Sequence, residues 1–416
     1  MTLSTTKNTQ HHYLMEKTNR FSQFTTPCFI FEEEEFKTSI GKFYSALRKN
    51  FSDPIIGYSV KTNSLPYCLN LAYHCGTYAE VVSSDEYELA HLCGFDDPHI
   101  IYNGPMKSKE TFLKAVANHA IVNIETKREL EWLKCLPIDK DYKIGLRLNL
   151  NISHISPDDA DGENDNSRFG FSDETDEFAN ALSYISTLKN IRLAGIHIHR
   201  TSHSRSVRFY RNSIAFACET IRKYKLALDY IDIGGGFFGI FPNKPSFQEY
   251  SDTFLDILRH YKLETLRVII EPGNAIVASS FKFLCEVIDV KHVEKNRWFI
   301  TTNGSRNDID PFFRKSNYLQ EELYYQESPY VTEQIVSGCT CLEYDRLYSL
   351  IDKPLLCLGD RILFNNVGAY TMCLSPLFIR YNPIVYLLKN GELSVIREKY
   401  SANEYIIKSK ILSDNE

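Results

Sequence analysis

The stretch Tyr230-Ile231-Asp232-Ile233-Gly234-Gly235-Gly236 is a short β-branched run that ends in three glycines. Its length and composition are typical of a buried parallel strand that leads into a tight loop. Seven similar apolar runs occur between residues 55 and 271, and amphipathic segments with helical periodicity separate most of them. The eight predicted strands are 55–61, 79–83, 99–103, 120–124, 143–149, 191–199, 228–233 and 266–271.

Eight strand-then-helix units over about 220 residues indicate an α/β fold, a (β/α)8 TIM-type barrel. A doubly wound sheet is the alternative, but the count of eight favours the barrel, as does the absence of a Gly-x-Gly-x-x-Gly turn after the first strand. The later part of the chain instead suggests a C-terminal β-sandwich or β-barrel domain. Its predicted strands are 281–290, 297–302, 330–337, 355–364 and 368–374.

These patterns predict three segments. Residues 1–44 form an N-terminal arm and a strand, at 27–31, that joins the β domain. Residues 45–278 form the barrel, and residues 279–416 form the β domain.

Composition excludes several classes of protein. The 416 residues carry a net charge of −6, so no basic excess is present to neutralise nucleic-acid phosphates. No apolar run approaches the roughly 20 residues of a membrane span, and the first 25 residues lack the apolar segment of a secretory signal. Of the 11 cysteines, ten are predicted to be packing thiols, which indicates a reducing, cytoplasmic location.

Barrel enzymes build their active sites at the carboxyl ends of the strands. Lys61 closes the first predicted strand, where a lysine is costly unless it is paired or used covalently. Loss of water around the amine lowers its pKa and makes it a nucleophile for Schiff bases. The alternative is a lysine at the barrel rim with its ammonium group in water.

Three further strand ends carry reactive or binding groups. His197 and His199 are two residues apart on a predicted strand and therefore lie on the same face. They are a metal-binding pair, a ring face that stacks on a cofactor, or histidines packed in the core. Gly234 to Gly236 expose backbone N–H groups that suit a phosphate. Glu271 ends the last strand and needs a cationic partner, which is a protonated heteroaromatic nitrogen, Lys61 or Arg147. Together these features are the inventory of a pyridoxal phosphate site.

At this level of detail the sequence resembles the barrel-type pyridoxal phosphate-dependent amino-acid decarboxylases of fold type III, which share the alanine racemase-like barrel. This group includes the diaminopimelate, ornithine and arginine decarboxylases. The resemblance covers roughly residues 25–385. The matching motifs are Tyr58-Ser59-Val60-Lys61-Thr62-Asn63, Ser83-Ser84-Asp85-Glu86, Ser167-Arg168-Phe169-Gly170, His199 with Ser202, Gly234-Gly235-Gly236, Glu271-Pro272-Gly273, Gly338-Cys339-Thr340-Cys341 and Gly368-Ala369-Tyr370.

The resemblance implies that Lys61 holds pyridoxal phosphate as an aldimine, that His199 stacks on its ring and that Glu271 contacts the pyridine nitrogen. Cys341 is then the proton donor of the decarboxylation, which yields an amine and carbon dioxide. It also implies a head-to-tail homodimer whose active sites are each completed by the β domain of the other subunit. Further cofactor contacts are expected from Glu80, Ser202, Gly235, Gly236, Gly273, Asn274 and Tyr370.

The sequence departs from the family pattern at the substrate and phosphate contacts. Asn274 and Asp310 stand where arginines are usual, and Leu342 replaces the acid after the cysteine. A diaminopimelate carboxylate would lose both arginine partners, which is a severe cost for a buried charge. A basic, modified or conjugated amino acid is therefore the predicted substrate, with Asp308, Asp310, Leu342, Glu343 and Tyr370 as its predicted contacts.

Three alternatives stay open at this point. An amino-acid racemase on the same fold would use the same lysine. A metal-dependent hydrolase would use His197 and His199, but no further metal ligand is evident, and we predict no metal. A catalytically altered decarboxylase homologue is the third.

Overall fold

The computed structural model describes residues 21–160, 162, 167–200 and 204–410. They form two compact units. The barrel unit comprises residues 37–277, and the β unit comprises residues 21–36 together with 278–410. In the part of the chain that is described, no helix is both long and apolar enough to cross a membrane.

A closed barrel of eight parallel strands confirms the predicted fold class. Each strand pairs with the next along the chain, and the last pairs with the first through Ile55–Ile269 and Ile56–Ile270. With β1 (Cys28–Glu32) in the β unit, the barrel strands are β2 (Ile55–Ser59), β3 (Tyr78–Ser83), β4 (Ile100–Met106), β5 (Ile121–Ile124), β6 (Tyr142–Arg147), β7 (Ile191–His197), β8 (Tyr230–Asp232) and β9 (Arg267–Ile270).

Serine side chains satisfy the first free N–H groups of several helices in the barrel unit. Ser83 accepts from Glu86 N at 3.2 Å and Ser206 accepts from Phe209 N at 2.9 Å. The helices up to the end of the barrel are α1 (Glu33–Arg48), α2 (Pro66–His74), α3 (Ser84–Leu92), α4 (Lys109–Ala117), α5 (Lys127–Trp132), α6 (Ile152–Ile155), α7 (Glu177–Ser186), α8 (Val207–Lys223), α9 (Phe247–His260) and α10 (Asn274–Val277).

The side chain of Tyr230 packs inside the barrel against two glycines. The ring of Tyr230 lies against Gly195, where an added Cβ would stand 2.2 Å from the ring. A Cβ at Gly145 would stand 2.2 Å from the Tyr230 hydroxyl. Two glycines on β6 and β7 therefore make room for the tyrosine on β8, whose hydroxyl donates to Asn123 Oδ1 at 2.8 Å.

The β unit contains a mixed nine-stranded sheet, which confirms the predicted C-terminal β domain. Strand β1 lies between β10, to which it is antiparallel, and β16, to which it is parallel, as expected for residues 27–31. Its further elements are β10 (Phe281–Glu294), β11 (Arg297–Thr302), α11 (Arg306–Ile309), β12 (Leu319–Leu323), β13 (Tyr330–Ser337), β14 (Arg346–Pro354), β15 (Arg361–Asn365), β16 (Ile384–Lys389), β17 (Glu392–Arg397) and α12 (Ala402–Ile406).

Several predictions for this unit are wrong. Residues 368–374 form turns and bends, in which Tyr370 has a φ of 55°. The predicted strand 355–364 is extended only at residues 361–364, where it overlaps Arg361–Asn365. Strands β12, β14, β16 and β17 were not predicted; β12 and β17 are rich in polar residues. All 11 cysteines are free thiols, but Cys135 is exposed rather than packed, because Leu133 is the buried member of its 3₁₀ turn.

Candidate active site

Lys61 lies just beyond the carboxyl end of β2, in a 3₁₀ turn formed by Val60–Thr62. Its Nζ donates to Ser59 Oγ at 2.8 Å and forms an ion pair with Glu80 from β3. Ser59 Oγ also donates to Glu80 Oε2 at 2.6 Å. The Lys61 side chain is 34% exposed, whereas that of Glu80 is 1% exposed, so the amine is reachable while its counter-charge is fixed.

Two asparagines that sequence reasoning missed connect the carboxylates of the site. Asn103 Nδ2 donates to Glu80 Oε1 at 3.2 Å and to Glu271 Oε1. Asn123 Nδ2 donates to Asn103 Oδ1 at 2.8 Å, which directs the amino group of Asn103 toward the acids. Both asparagines are almost fully buried in predicted strands. A polar residue inside a buried strand needs such a partner, and that was the available signal.

Glu271 follows β9 and is 4% exposed. Its Oε2 lies 3.4 Å from His197 Nε2. Burial alone would raise the pKa of Glu271, but His197 and Lys61 hold it below its usual range. The group is therefore a carboxylate, suited to accept a hydrogen bond from a protonated nitrogen.

Arg147 at the end of β6 does not pair with either of these carboxylates. Its Nη1 lies 3.0 Å from Glu125 Oε2, and its Nη2 donates to the backbone carbonyl of His199 at 3.0 Å. The guanidinium group thus holds the peptide that carries His199. Sequence reasoning listed Arg147 but did not identify Glu125 as its partner.

His199 presents a neutral ring. Gly235 N donates to its Nδ1 at 2.9 Å, so the ring proton is assigned to Nε2. Removal from bulk water and the charge of Arg147 lower the pKa of His199 to about 3. The ring is nearly parallel to that of His197, at 15° and a centroid distance of 6.3 Å. These properties suit stacking on a flat cofactor rather than ion pairing.

The glycine loop after β8 is shaped by close contacts. A Cβ at Gly235 would stand 2.3 Å from the Glu271 carbonyl oxygen, and one at Gly234, with φ 76°, would stand 2.5 Å from His199 Nδ1. Gly234 N donates to Asp232 Oδ1 at 3.0 Å, and Gly235 N donates to His199. Two of the three predicted phosphate donors are therefore engaged, so anion binding would fall to Gly236 and the residues after it.

Two of the remaining cofactor contacts predicted for this unit, Gly273 and Asn274, lie close to Glu271 in the sequence. Gly273 follows Glu271, and a Cβ there would stand 2.0 Å from Thr62 Oγ1. Asn274 begins α10 and is half-buried. Ser202 lies outside the described residues. Two serines shortly after it, Ser204 and Ser206, both donate to the buried carboxylate of Asp159.

In the β unit, Cys341 and Glu343 are exposed on a loop between β13 and β14, and Leu342 between them is half-buried. Asp345, which sequence reasoning missed, organises this loop. Its Oδ2 accepts from Thr340 Oγ1 at 2.6 Å and from Ser305 Oγ at 3.1 Å. The loop with the cysteine is thereby joined to the start of α11.

Asp308 and Asp310, predicted as substrate contacts, both have arginine partners within the β unit. Arg380 forms an ion pair with Asp308. Arg306 donates to Asp310 Oδ2 from Nε at 3.0 Å and from Nη2 at 2.9 Å. Both carboxylates are at most 4% exposed. Of the predicted substrate contacts in this unit, Glu343 and Tyr370 are the exposed polar ones.

Comparisons with known proteins agree with this chemistry. Residues 37–278 match the family model for the pyridoxal-binding domain of pyridoxal-dependent decarboxylases. The chain is 26% identical over 402 residues to diaminopimelate decarboxylase from Aquifex aeolicus, covering 93% of this chain and 92% of that protein.

Two solved structures show the same fold. One is diaminopimelate decarboxylase from M. jannaschii in complex with L-lysine, with a TM-score of 0.82, 20% identity and coverage of 95% and 94% of the two chains. The other is the arginine decarboxylase of Paramecium bursaria Chlorella virus bound to agmatine, with a TM-score of 0.72, 21% identity and coverage of 88% and 96%.

The barrel-unit residues fit pyridoxal phosphate. An accessible amine at Lys61, a neutral ring at His199 and an ionised acid at Glu271 are the donor set that the cofactor requires. In the glycine loop, close contacts exclude a Cβ at Gly234 and Gly235. The predicted cofactor and the predicted reaction, amino-acid decarboxylation, agree with the matched family and with the relatives. Since the family model spans more than half of the sequence, the chain belongs to the pyridoxal-dependent decarboxylase family.

Proposed function

We propose that this decarboxylase acts on an amino acid with a basic or modified side chain, rather than on diaminopimelate. The observation that carries this proposal is the pairing of Arg306 with Asp310 and of Arg380 with Asp308. Each guanidinium charge is matched by a buried carboxylate. Neither arginine then offers the uncompensated charge that a distal carboxylate of the substrate requires.

Neighbouring positions support the same conclusion. Asn274 is neutral, whereas the family motif has an arginine at this position. Glu343 is an exposed acid two residues after Cys341, where it would attract a distal ammonium group. The related viral arginine decarboxylase has a structure with agmatine, which carries a cationic end.

Within the reaction, we assign the barrel residues to holding the cofactor and the β unit to proton transfer. Pyridoxal phosphate, when bound, supplies an electron sink for the bond that breaks at Cα. Lys61 binds it covalently through Nζ, and Glu80 and Ser59 orient that amine. His199 supports the ring face, and Glu271 keeps a proton on the ring nitrogen. Cys341 donates the proton that replaces the departing carboxylate.

We also propose a head-to-tail homodimer with shared active sites. Cys341 and Tyr370 are exposed on the β unit, and four apolar side chains near Tyr370 are each at least 38% exposed. Several exposed apolar groups close in sequence to a predicted site residue are typical of an interface. The four side chains are Leu374, Leu377, Phe378 and Ile379.

The free state of all 11 cysteines supports a cytoplasmic location, where thiols stay reduced. We propose that location for the enzyme. Redox-sensitive labelling of thiols in intact cells tests it, because disulfide-linked protein would contradict a reducing compartment.

A substrate panel tests the specificity. Carbon dioxide release is measured from diaminopimelate, from lysine, ornithine and arginine, and from their side-chain conjugates. We expect a basic or conjugated member to exceed diaminopimelate in kcat/KM by at least about tenfold, since an unpaired buried charge costs several kcal/mol. For a basic substrate, Glu343→Gln should raise KM, while Glu327→Gln, an exposed control, should not. Preference for diaminopimelate would overturn the proposal.

Mixing inactive variants tests the shared site. Lys61→Ala and Cys341→Ala homodimers are unfolded and refolded together, so that subunits recombine. In a heterodimer, one site receives the intact Lys61 and the intact Cys341, so about a quarter of wild-type activity should return at equal ratios. Activity that stays at the level of the separate variants would contradict a shared site.

A further inference from the structure

A second carboxyl group, on Asp232, lies beside Glu271 inside the barrel. Candidate ligand atoms of His197, Asp232 and Glu271 all lie within 4.8 Å of one another, and none of the three residues is more than 4% exposed. Asp232 ends β8 next to Glu271, which follows β9, and the two strands pair in parallel. The proposed roles above use Glu271 but give no role to Asp232.

The contacts of Asp232 show what it can bind. Its Oδ1 accepts from Gly234 N at 3.0 Å, and its Oδ2 accepts from Asn123 Nδ2 at 3.3 Å. Asp232 also faces two acids: Glu271, which follows β9, and Glu80 on β3, which adds a second negative charge near the Asp232 carboxyl group. The ring of His197, on β7, is fully buried, and its Nε2 lies 3.4 Å from Glu271 Oε2.

Two adjacent buried carboxyl groups are stable only if they share a proton, because two bare carboxylates repel strongly without water. We propose that Asp232 carries this proton and directs it at Glu271, so that the pair holds a single negative charge toward the cofactor nitrogen. Asp232 is thus a positioning residue for the decarboxylation. The inference rests on the proposed role of Glu271.

The environment of each acid determines which one is protonated. His197 and Lys61 favour the ionised form of Glu271, whereas Asp232 faces two acids. Burial and the charge of Glu271 raise the pKa of Asp232 well above its usual range. A hydrogen bond from Asp232 makes Glu271 less basic, so the proton between Glu271 and the cofactor stays on the cofactor nitrogen.

Infrared difference spectroscopy of the holoenzyme at neutral pH tests where the proton lies. The Asp232→Asn spectrum is subtracted from that of the wild type. We expect the band lost to be that of a protonated carboxylic acid, whereas loss of an ionised carboxylate band would overturn the proposal. Asp229→Asn is the matched control: Asp229 pairs with Arg192 and Lys143 at the exposed start of β8 and should lose a carboxylate band. If the Asn variant does not fold, Asp232→Ser serves in the same measurement.

The visible absorption of the bound cofactor gives the second readout. Asn can still donate to Glu271, so Asp232→Asn should keep the wild-type pH profile of absorption, and Asp232→Ala should shift its midpoint by roughly one pH unit or more. An Ala variant with the wild-type profile overturns the positioning role. Glu271→Gln separates the two proposals: if it also leaves the profile unchanged, the assigned role of Glu271 has failed. A stoichiometric metal ion that is lost in Asp232→Asn would also overturn the shared proton.

Discussion

The two units hold their functional groups in different ways. In the barrel unit, Lys61 and Glu271 contact other side chains of the same unit, which fix their geometry and charge. In the β unit, Cys341 and Tyr370 are exposed, and the loop with Cys341 is held by hydrogen bonds to the buried Asp345. The barrel residues are therefore held in place by their neighbours, whereas Cys341 and Tyr370 are exposed, as the proposed shared active site requires. Four predictions test this contrast.

The largest effect is expected at the barrel site. Lys61→Ala should reduce kcat/KM by at least about 10³-fold and abolish the visible absorption of the bound cofactor, because no other amine takes its place. Absorbance spectra and carbon dioxide release check both effects. Lys127→Ala, an exposed lysine on α5, is the control and should retain both. A Lys61→Ala variant with wild-type absorption would contradict the assignment.

Cys341→Ala should reduce kcat by about 10²-fold, the usual contribution of a positioned proton donor. Because Lys61, His199 and Glu271 are unchanged, cofactor absorption and cofactor affinity should not change. Cys339→Ala, two residues earlier, is the matched control. Equal losses in the two cysteine variants would show that the loop, rather than the Cys341 thiol, matters.

Strands of the barrel were predictable because each is buried on both sides and appears as an apolar run. All eight occur close to their predicted bounds. The β unit was less predictable because its strands are partly exposed: Leu319–Leu323 contains three polar residues among five. The false strand at 368–374 is apolar, but the positive φ of Tyr370 prevents an extended backbone.

Asp345→Asn should destabilise the protein by about 1–3 kcal/mol, because a buried acceptor of several hydrogen bonds is replaced by a weaker one. Denaturant unfolding measures the free energy, and cofactor affinity should stay at the wild-type value. Glu327→Gln, an exposed change in the same unit, should have no effect. A loss of cofactor affinity in Asp345→Asn would remove the distinction between the units.

The smallest effect concerns Glu86, which accepts from Val82 N at 2.8 Å at the start of α3. Burial, opposed by this bond, raises the pKa of Glu86 to about 7. A raised pKa in the folded state means that protonated Glu86 stabilises the fold at low pH. This contribution is lost as the pH rises from about 4.5 to about 7.

Glu86→Gln should therefore gain stability relative to the wild type over that pH range. Thermal unfolding at a series of pH values measures the difference. Glu88→Gln, on the exposed side of the same helix, should follow the wild-type curve. A constant difference between Glu86→Gln and the wild type across the range would contradict the assigned pKa.

In the site, the sequence identified charged groups at the ends of buried strands, such as Lys61 and Glu271, because burial of an unpaired charge costs free energy. It did not find Asn103, Glu125 or Asp345, because their partners are distant in sequence. A buried asparagine can be recognised from its strand, but which acids it joins depends on strand register around the closed barrel. The i, i+4 spacing of Arg306 and Asp310 suggests that they pair. The sequence does not show that the pair is buried.

The order of strands in the β unit has a consequence for biosynthesis. Strands β1 and β10 pair directly, yet about 250 residues, including the whole barrel, separate them along the chain. At 5–20 residues per second, β1 leaves the ribosome roughly 10–50 s before its partner exists. During that interval Phe29, Ile30 and Phe31 form an unpaired apolar strand, which is prone to aggregate. The newly made chain must therefore shield its first strand, by chaperone or by transient contacts, until β10 emerges.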